Sequence, residues 1–155
     1  MTGAGGLSKS EWDESLAYQL RRASQAWFAL WQQRVPDLTN PQFAVLLRLS
    51  QRGALDQTAL GALVSVDRST LTLLLDRLEA RGWVTKSIDQ TNRRRRIVEL
   101  TDEGRRRLGD ALAVADALND EVQAQFDPDE LRGLVRLLRL LGDMSPMAGR
   151  QSSSG

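Results

Sequence analysis

The sequence predicts a mainly α-helical fold with one small β-hairpin. Apolar residues recur at every third or fourth position over most of the chain, which is the period of an amphipathic helix. Two short β-branched segments, WVTKS and RIVEL, interrupt that period and enclose a polar stretch, as the strands of a hairpin do. The chain has 155 residues, of which 41% are hydrophobic and 26% charged, so we expect one folded globular domain.

The first two helices are predicted from apolar spacing and from proline. An apolar stripe over residues 12–30 indicates the first helix, which Pro36 ends. A second helix, PQFAVLLRLSQ, is expected to have Asn40 as its N-cap and Pro41 in its first helical position, and to end near Gly53.

A short third helix and a longer fourth helix follow with the spacing of a helix-turn-helix. Asp56 is expected to cap QTALGALV, and Asp67 opens DRSTLTLLLDRLEARG, which ends at Gly82. At 100° per residue, one face of the fourth helix is apolar and predicted to be buried. The core positions are Leu71, Leu74, Leu75 and Leu78; the outward positions are Ser69, Leu73, Asp76 and Arg77, with Thr70 and Thr72 on the flanks.

Positive charge is concentrated in and after the predicted hairpin. Between Lys86 and Arg107 there are eight basic and four acidic residues, a net charge of +4 in a chain whose net charge is only +1. Strands over 83–87 and 96–100 place four consecutive arginines at or beside the hairpin tip. A solvated basic loop would explain the run alone, whereas a basic hairpin directly after a hydroxyl-lined helix favours contact with a polyanion.

Two further helices and two tails complete the predicted organisation. Thr101 is expected to cap a long fifth helix with Asp102 and Glu103 in its first turn, and a sixth helix runs from about Asp129 to Leu141. Residues 1–10 and 143–155 are rich in Gly and Ser and are expected to be disordered tails. The predicted single domain covers residues 11–142.

Composition excludes several classes of function. The chain has no cysteine and no histidine, so disulfides, thiol chemistry, histidine-based acid–base catalysis and the usual zinc and copper sites lack their residues. No nucleophile–base pair, Gly-rich phosphate loop or carboxylate cluster stands out, and we expect neither enzymatic activity, nor a cofactor, nor a metal. No leader or membrane-spanning segment is apparent, and we expect a cytoplasmic protein.

From about Leu16 to Leu141, the order of the predicted elements resembles that of the winged helix-turn-helix regulators of the multiple antibiotic resistance regulator (MarR) family, and the resemblance is most specific from Leu63 to Leu108. The resemblance rests on a Ser/Thr-containing recognition helix, on DRLEARGWV, on a wing of the type D-x-x-D-R-R and on V-x-L-T-x-x-G. Two departures are apparent. Leu73 stands where many relatives have Arg or Lys, and Asn92 replaces the second acid of the wing, which is expected to weaken an ion pair that positions the wing arginine.

The resemblance implies a sequence-specific, double-stranded DNA-binding transcriptional regulator, expected to be a ligand-responsive repressor. It also implies a homodimer built from helices over 11–35 and 102–142, with a winged helix-turn-helix over 41–101 in each protomer. The apolar stripes of these helices support dimerisation independently, because their area is too large to leave in water. A two-fold dimer predicts a palindromic operator with half-sites ~10 bp apart.

The expected DNA contacts lie on the fourth helix and the wing. The helix enters the major groove, where an outward Leu73 contacts a thymine methyl or does nothing, and the wing reaches the minor groove. The residues expected to contact DNA are Arg68, Ser69, Thr70, Thr72, Leu73, Arg77, Arg93, Arg94 and Arg95. A small aromatic or anionic effector is expected beside Arg22, Trp27, Trp31 and Phe43, although aromatic residues at helical spacing also suit a core.

One alternative function uses the same fold. A winged helix can dock proteins without binding specific DNA, and an exposed Leu73 would suit that use.

Overall fold

The computed structural model describes residues 12–144 and contains six helices and three strands there. They follow one another in the order that the sequence predicts, with one additional short strand. The elements are α1 (Leu16–Arg34), α2 (Asn40–Arg52), β1 (Leu55–Asp56), α3 (Gln57–Val64), α4 (Arg68–Ala80), β2 (Val84–Ile88), β3 (Arg96–Leu100), α5 (Asp102–Gln123) and α6 (Pro128–Asp143). The predicted tail over residues 1–10 lies outside the described residues, as do residues 145–155 of the tail predicted over 143–155. The prediction was wrong for Asp143, which belongs to α6. Helix α6 ends at Asp143, two residues beyond the end predicted at Leu141.

The helices begin at polar N-cap residues; the predicted caps Asp56 and Thr101 are confirmed, and Asp67, predicted as the start of α4, is its N-cap. Asp56, Asp67 and Thr101 accept hydrogen bonds from backbone amides of the first turns of α3, α4 and α5. The cap predicted for α2 is wrong by one position. Thr39 caps that helix in a reciprocal capping box with Gln42, and Asn40 is already helical.

The predicted hairpin forms the larger part of a small antiparallel sheet with the strand order β1-β3-β2. Strands β2 and β3 pair from Val84 opposite Leu100 to Ile88 opposite Arg96. Strand β1 was not predicted, because a two-residue strand is too short to show the alternation of apolar and polar residues. Its pairing brings Asp56, opposite Ile97, beside the hairpin and ties the helix-turn-helix to it.

The core of the helix-turn-helix lobe contains the four leucines predicted from the helical period of α4. Leu71, Leu75 and Leu78 belong to one apolar cluster with residues of α2, α3 and the sheet, and Leu74 is also buried. Gly82 adopts a φ of 71° after α4, as expected of a glycine that ends a helix.

A close contact joins α5 to the lobe. A Cβ atom on Gly104 would lie 2.0 Å from the Trp83 carbonyl oxygen, so this position accepts only glycine without displacing the backbone. The Thr101 hydroxyl donates to the Gly82 carbonyl oxygen at 2.7 Å, and the Thr101 amide donates to the Trp83 carbonyl oxygen at 3.1 Å. The start of α5 is therefore fixed to the turn between α4 and β2.

Much of the apolar surface of α1 and α6 is uncovered in a single protomer. The only buried residue of α1 is Trp31, while Leu16 is 71% exposed, so the predicted stripe is only partly covered. Helix α6 buries no residue at all and exposes about half of Leu137, Leu138 and Leu140. These helices need a further apolar surface.

No single helix of residues 12–144 meets the length and hydropathy of a membrane span; α3 and α4 meet them only as a pair bent by 104°.

Candidate nucleic-acid interface

Helix α4 exposes every residue that the sequence analysis assigned to it as a contact. Arg68, Ser69, Thr70, Thr72, Leu73 and Arg77 are all exposed, and Leu73 retains 61% of its accessible surface. The buried leucines hold the opposite side of the helix in the core. The arrangement leaves small hydroxyl groups at the start of a helix, where a polyanion can approach closely.

The N-cap Asp67 organises two of these hydroxyl groups. Ser69 Oγ donates to Asp67 Oδ1 at 2.6 Å, Thr70 Oγ1 donates to Asp67 Oδ2 at 2.6 Å, and the Thr70 amide donates to Oδ1 at 2.9 Å. These bonds, led by the one from Ser69, hold the pKa of Asp67 far below its ordinary value. The carboxylate is therefore ionised at neutral pH.

The third hydroxyl of α4 is bound from both sides. Thr72 Oγ1 donates to the Arg68 carbonyl oxygen at 2.9 Å and accepts from Gln57 Nε2 at 3.1 Å. Gln57 was not predicted as part of this surface. The two residues are 15 positions apart, and no local pattern in the sequence indicates that α3 and α4 would bring them together.

Lys86 fixes β2 to α4. Its ammonium group lies 2.5 Å from Asp76 Oδ1 and 2.8 Å from Glu79 Oε2, and the hydrogen bond with Asp76 is the main cause that raises the pKa of Lys86. Asp76 was predicted on the outer face of α4, and its pairing with Lys86 was not predicted. The ion pairs set the position of the hairpin relative to the outer face of α4.

The wing, which we define as residues 84–100, turns at its tip around Asp89 and Asn92. Asp89 Oδ1 accepts from the Thr91 hydroxyl at 2.6 Å and the Thr91 amide at 2.8 Å, and these bonds lower the pKa of Asp89. Asn92 accepts from the Arg94 amide through its side chain and from the Arg95 amide through its carbonyl oxygen. Asn92 therefore shapes the tip through hydrogen bonds that need no charge.

The arginines of the tip fall into two groups. Arg95 Nε lies 3.3 Å from Asp56 Oδ2, and its Nη1 lies 3.4 Å from Asp89 Oδ2, so the side chain joins the outer strands of the sheet. Arg93 and Arg94 are exposed, and neither side chain has an ion-pair partner within residues 12–144. The geometry thus gives Arg95 a bracing position and leaves Arg93 and Arg94 directed to solvent.

We expect Arg95→Met to loosen the wing in the isolated protein, because Asp56 and Asp89 would then repel each other without a shared cation. Amide hydrogen exchange at the wing should quicken about fivefold, the scale of a coupled surface network. Adding Asp56→Asn should restore much of the protection, since asparagine keeps the N-cap of α3 but removes one of the two charges. Arg94→Met is the matched control and should leave exchange unchanged; equal exchange in Arg95→Met and wild type would contradict the brace.

The predicted effector residues do not form one group. Trp27, Trp31 and Phe43 lie near the junction of α1 and α2, whereas Arg22 lies further from it along α1. Trp31 is 2% exposed, its indole N–H donates to the Leu38 carbonyl oxygen at 2.6 Å, and its ring centroid is 4.7 Å from that of Phe43. Trp27 is half-buried beside this pair. Arg22 is exposed against the ring of Tyr18, 140° around the helix from Trp27. Trp31 therefore serves the core, and Arg22 lies apart from the aromatic cluster.

A cluster of charged and aromatic side chains that was not predicted connects the segment after α1 with the helix-turn-helix lobe. Arg107 donates to both carboxylate oxygens of Asp37, at 3.1 and 2.6 Å, and this hydrogen bonding is the main cause that lowers the pKa of Asp37. Arg81 donates to the Asp37 carbonyl oxygen. The Trp83 ring lies 4.9 Å from the Arg81 guanidinium and 5.8 Å from that of Arg107. The cluster links α1, α4 and α5 at one point.

Comparisons with known proteins agree with this architecture. The family model described as MarR family matches residues 38–95. The transcriptional regulator HosA of Escherichia coli O157:H7 is 35% identical over 122 residues, which cover 79% of this chain and 90% of HosA.

Solved structures extend the likeness to nearly the whole chain. A structure of Bordetella bronchiseptica BpsR, described by its regulation of DNA binding by 6-hydroxynicotinic acid, has a TM-score of 0.83 and 30% identity and covers 91% of this chain and 100% of that one. A structure of the transcriptional repressor CouR bound to a 23-mer DNA duplex has a TM-score of 0.80 and 30% identity, covering 89% of this chain and 99% of CouR. The likeness includes the helices outside the lobe as well as the helix-turn-helix.

Proposed function

This chain belongs to the MarR family of transcriptional regulators, and from that premise we propose that it is a ligand-responsive repressor that binds a palindromic operator as a homodimer. One observation carries the proposal: α4 exposes a row of hydroxyl groups and arginines, and the adjoining wing exposes three arginines, Arg93, Arg94 and Arg96, without ion-pair partners in the described chain. Its action is binding and not catalysis, and we place it in the cytoplasm, where it meets chromosomal DNA.

A second copy of this chain is the occupant that we propose for the uncovered face of α6. Leu134, Val135, Leu137, Leu138 and Leu140 are each about two-fifths to one-half exposed in the protomer. Burying such side chains contributes roughly 25 cal/mol per Å² of apolar surface, and a two-fold dimer buries the same side chains of both protomers. Together with the exposed parts of α1, this area supports an obligate dimer.

We assign the contacts with DNA according to where each side chain lies. In the major groove, Ser69, Thr70 and Thr72 contact base edges with Arg68 beside them, and Arg77 binds the phosphate backbone. Arg94, with Arg93, enters the adjacent minor groove, where A·T-rich DNA has the strongest negative potential. Arg95, expected as a third such residue, is reassigned to bracing the wing, because its guanidinium is shared by Asp56 and Asp89.

A small aromatic acid is the class of effector that we propose. The family neighbour BpsR is regulated by 6-hydroxynicotinic acid, and the junction of α1 and α2 has the half-buried residues Trp27 and Phe43. Arg22 could pair with a carboxylate only if the effector extends along α1, since Arg22 lies on another side of that helix. Binding there would shift the two recognition helices relative to each other.

The direct test of the proposed function is selection of DNA sequences by the full-length protein from a randomised duplex library. We expect recovery of a palindrome with half-sites ~10 bp apart, protected by the protein in footprinting. Affinity for that duplex should fall with salt with a slope near −0.9 for each phosphate neutralised. Recovery of no consensus at low salt would contradict the function.

Leu73 gives a separate prediction about specificity. With 61% of its surface exposed on the outer face of α4, Leu73 can contact a thymine methyl group in the groove. Leu73→Ala should then weaken binding to the selected operator about fivefold, while binding to random duplex stays the same. Competition titrations measure both affinities, and equal losses on the two duplexes would contradict a role in reading bases.

A further inference from the structure

The hydroxyl groups of α4, the proposed recognition helix, all donate hydrogen bonds to acceptors within the protein. Ser69 and Thr70 each donate to a different oxygen of the Asp67 carboxylate, both at 2.6 Å, and Thr72 donates to the Arg68 carbonyl oxygen at 2.9 Å. These are all the Ser and Thr residues of α4.

The direction of these hydrogen bonds follows from the acceptors. An ionised carboxylate has no proton to donate, so the protons of the bonds at Asp67 must come from the two hydroxyl groups. Distances near 2.6 Å are typical of hydroxyl-to-carboxylate bonds, which are roughly twice as strong as bonds between neutral groups. Turning a hydroxyl proton outward to a neutral base atom would exchange a strong bond for a weaker one.

Ser69 and Thr70 are therefore available to DNA as hydrogen-bond acceptors, through the lone pairs of their hydroxyl oxygens. In the major groove, the hydrogen-bond donors are the N4 amino group of cytosine and the N6 amino group of adenine, whereas guanine and thymine present acceptors at O6, N7 and O4. A surface of acceptors complements amino groups and opposes carbonyl groups. Arg68, which has no ion-pair partner in the described chain, remains available as a donor on the same turn.

We propose that Ser69 and Thr70 read the amino groups of cytosine or adenine, and that Asp67 sets this preference by fixing their hydroxyl protons without contacting DNA. The inference rests on the proposed function, since it concerns the same helix in the same groove. Asp67 is thus a positioning residue for specificity in addition to its role as N-cap of α4. This role requires both of its oxygens, one for each hydroxyl group.

The variant Asp67→Asn separates the two roles. Asparagine is as good an N-cap as aspartate, so α4 should begin at the same residue. Its amide has only one acceptor oxygen and places a donor against the second hydroxyl, which releases that hydroxyl proton towards the groove. Asp110→Asn is the control for charge, because it removes the same charge from an exposed side chain of α5 that has no ion pair among the described residues.

The experiment compares base preferences selected from one randomised duplex library by wild type, Asp67→Asn, Asp110→Asn, Ser69→Ala and Thr70→Val. The last two variants identify the base positions that each hydroxyl contacts. At those positions wild type should prefer cytosine or adenine over guanine or thymine about fivefold, the scale of one hydrogen bond. Asp67→Asn should lose that preference at one position or more, and Asp110→Asn should keep it.

A preference of wild type for guanine or thymine at those positions, or an unchanged preference in Asp67→Asn, would overturn the proposal while leaving the DNA-binding function intact. A wild-type protein that selects no consensus at all would instead overturn the proposed function. Circular dichroism of Asp67→Asn gives the check on folding. If that variant unfolds, the same question is answered by wild type on selected duplexes in which purine or 2-pyrimidinone replaces the contacted base; unchanged affinity would overturn the proposal.

Discussion

Replacing Leu138 by aspartate should convert the protein into a monomer that no longer binds its operator. Leu138 is 46% exposed in the protomer, and α6 has no other surface in the described chain to bury it. In the proposed dimer, the substitution removes ~2 kcal/mol of apolar burial from each protomer and places two carboxylates in an apolar interface. Because each half-site alone binds weakly, affinity for the palindrome should fall more than about hundredfold.

Sedimentation equilibrium and gel-shift titration measure the two effects on the same sample. Ser50→Asp, which introduces the same group on the exposed side of α2, is the matched control and should remain a dimer. Circular dichroism distinguishes dissociation from unfolding. A Leu138→Asp protein that stays dimeric with full affinity would show that α6 does not contribute to the interface.

Replacing Arg94 by alanine should weaken binding to the operator about thirtyfold without changing the fold. The side chain is exposed at the tip of the wing without an ion-pair partner among residues 12–144, so its removal breaks no ion pair there. In the proposed complex it loses two minor-groove contacts, one for each protomer. The dependence of log affinity on log salt should become shallower by about 1.8, since each lost contact contributes roughly 0.9.

Fluorescence anisotropy at several salt concentrations measures both the affinity and the slope. Arg105→Ala is the control, because Arg105 belongs to the same basic segment but lies on α5, where it pairs with Asp102. Its affinity and slope should stay close to wild type. An Arg94→Ala protein that binds as tightly as wild type with the same slope would remove Arg94 from the contact surface.

The helices and their buried sides were predictable because the signals are local. A period of 3.6 residues with four leucines identifies both the extent and the buried face of α4, and Asp67 and Gly82 mark its ends. The hairpin was predictable for the same reason, since two β-branched segments flank a polar stretch. The cap of α2 was misplaced because Thr39 and Asn40 are both good caps, and only the capping box with Gln42 decides between them.

The ion pairs that brace the wing and fix α5 to the segment after α1 could not be predicted, because they join residues far apart in the sequence. Arg95 and Asp56 are separated by 39 positions, and Arg107 and Asp37 by 70. A run of four arginines looks uniform in the sequence, yet β1 places an acid beside one of them alone. The spacing of Trp31 suits a core as well as a ligand site, and the fold places it in the core with its indole N–H donating to the Leu38 carbonyl oxygen.

The contact at Gly104 determines how motion is transmitted within a protomer. With no side chain between α5 and the Trp83 carbonyl oxygen, and with Thr101 bonded to residues 82 and 83, the start of α5 is in direct backbone contact with the turn that connects α4 to β2. In the proposed dimer, we expect a rotation of α5 to be passed through this contact to the wing and to the end of α4. A molecule that tilts the two α5 helices apart would therefore change the separation of the two proposed DNA-binding surfaces.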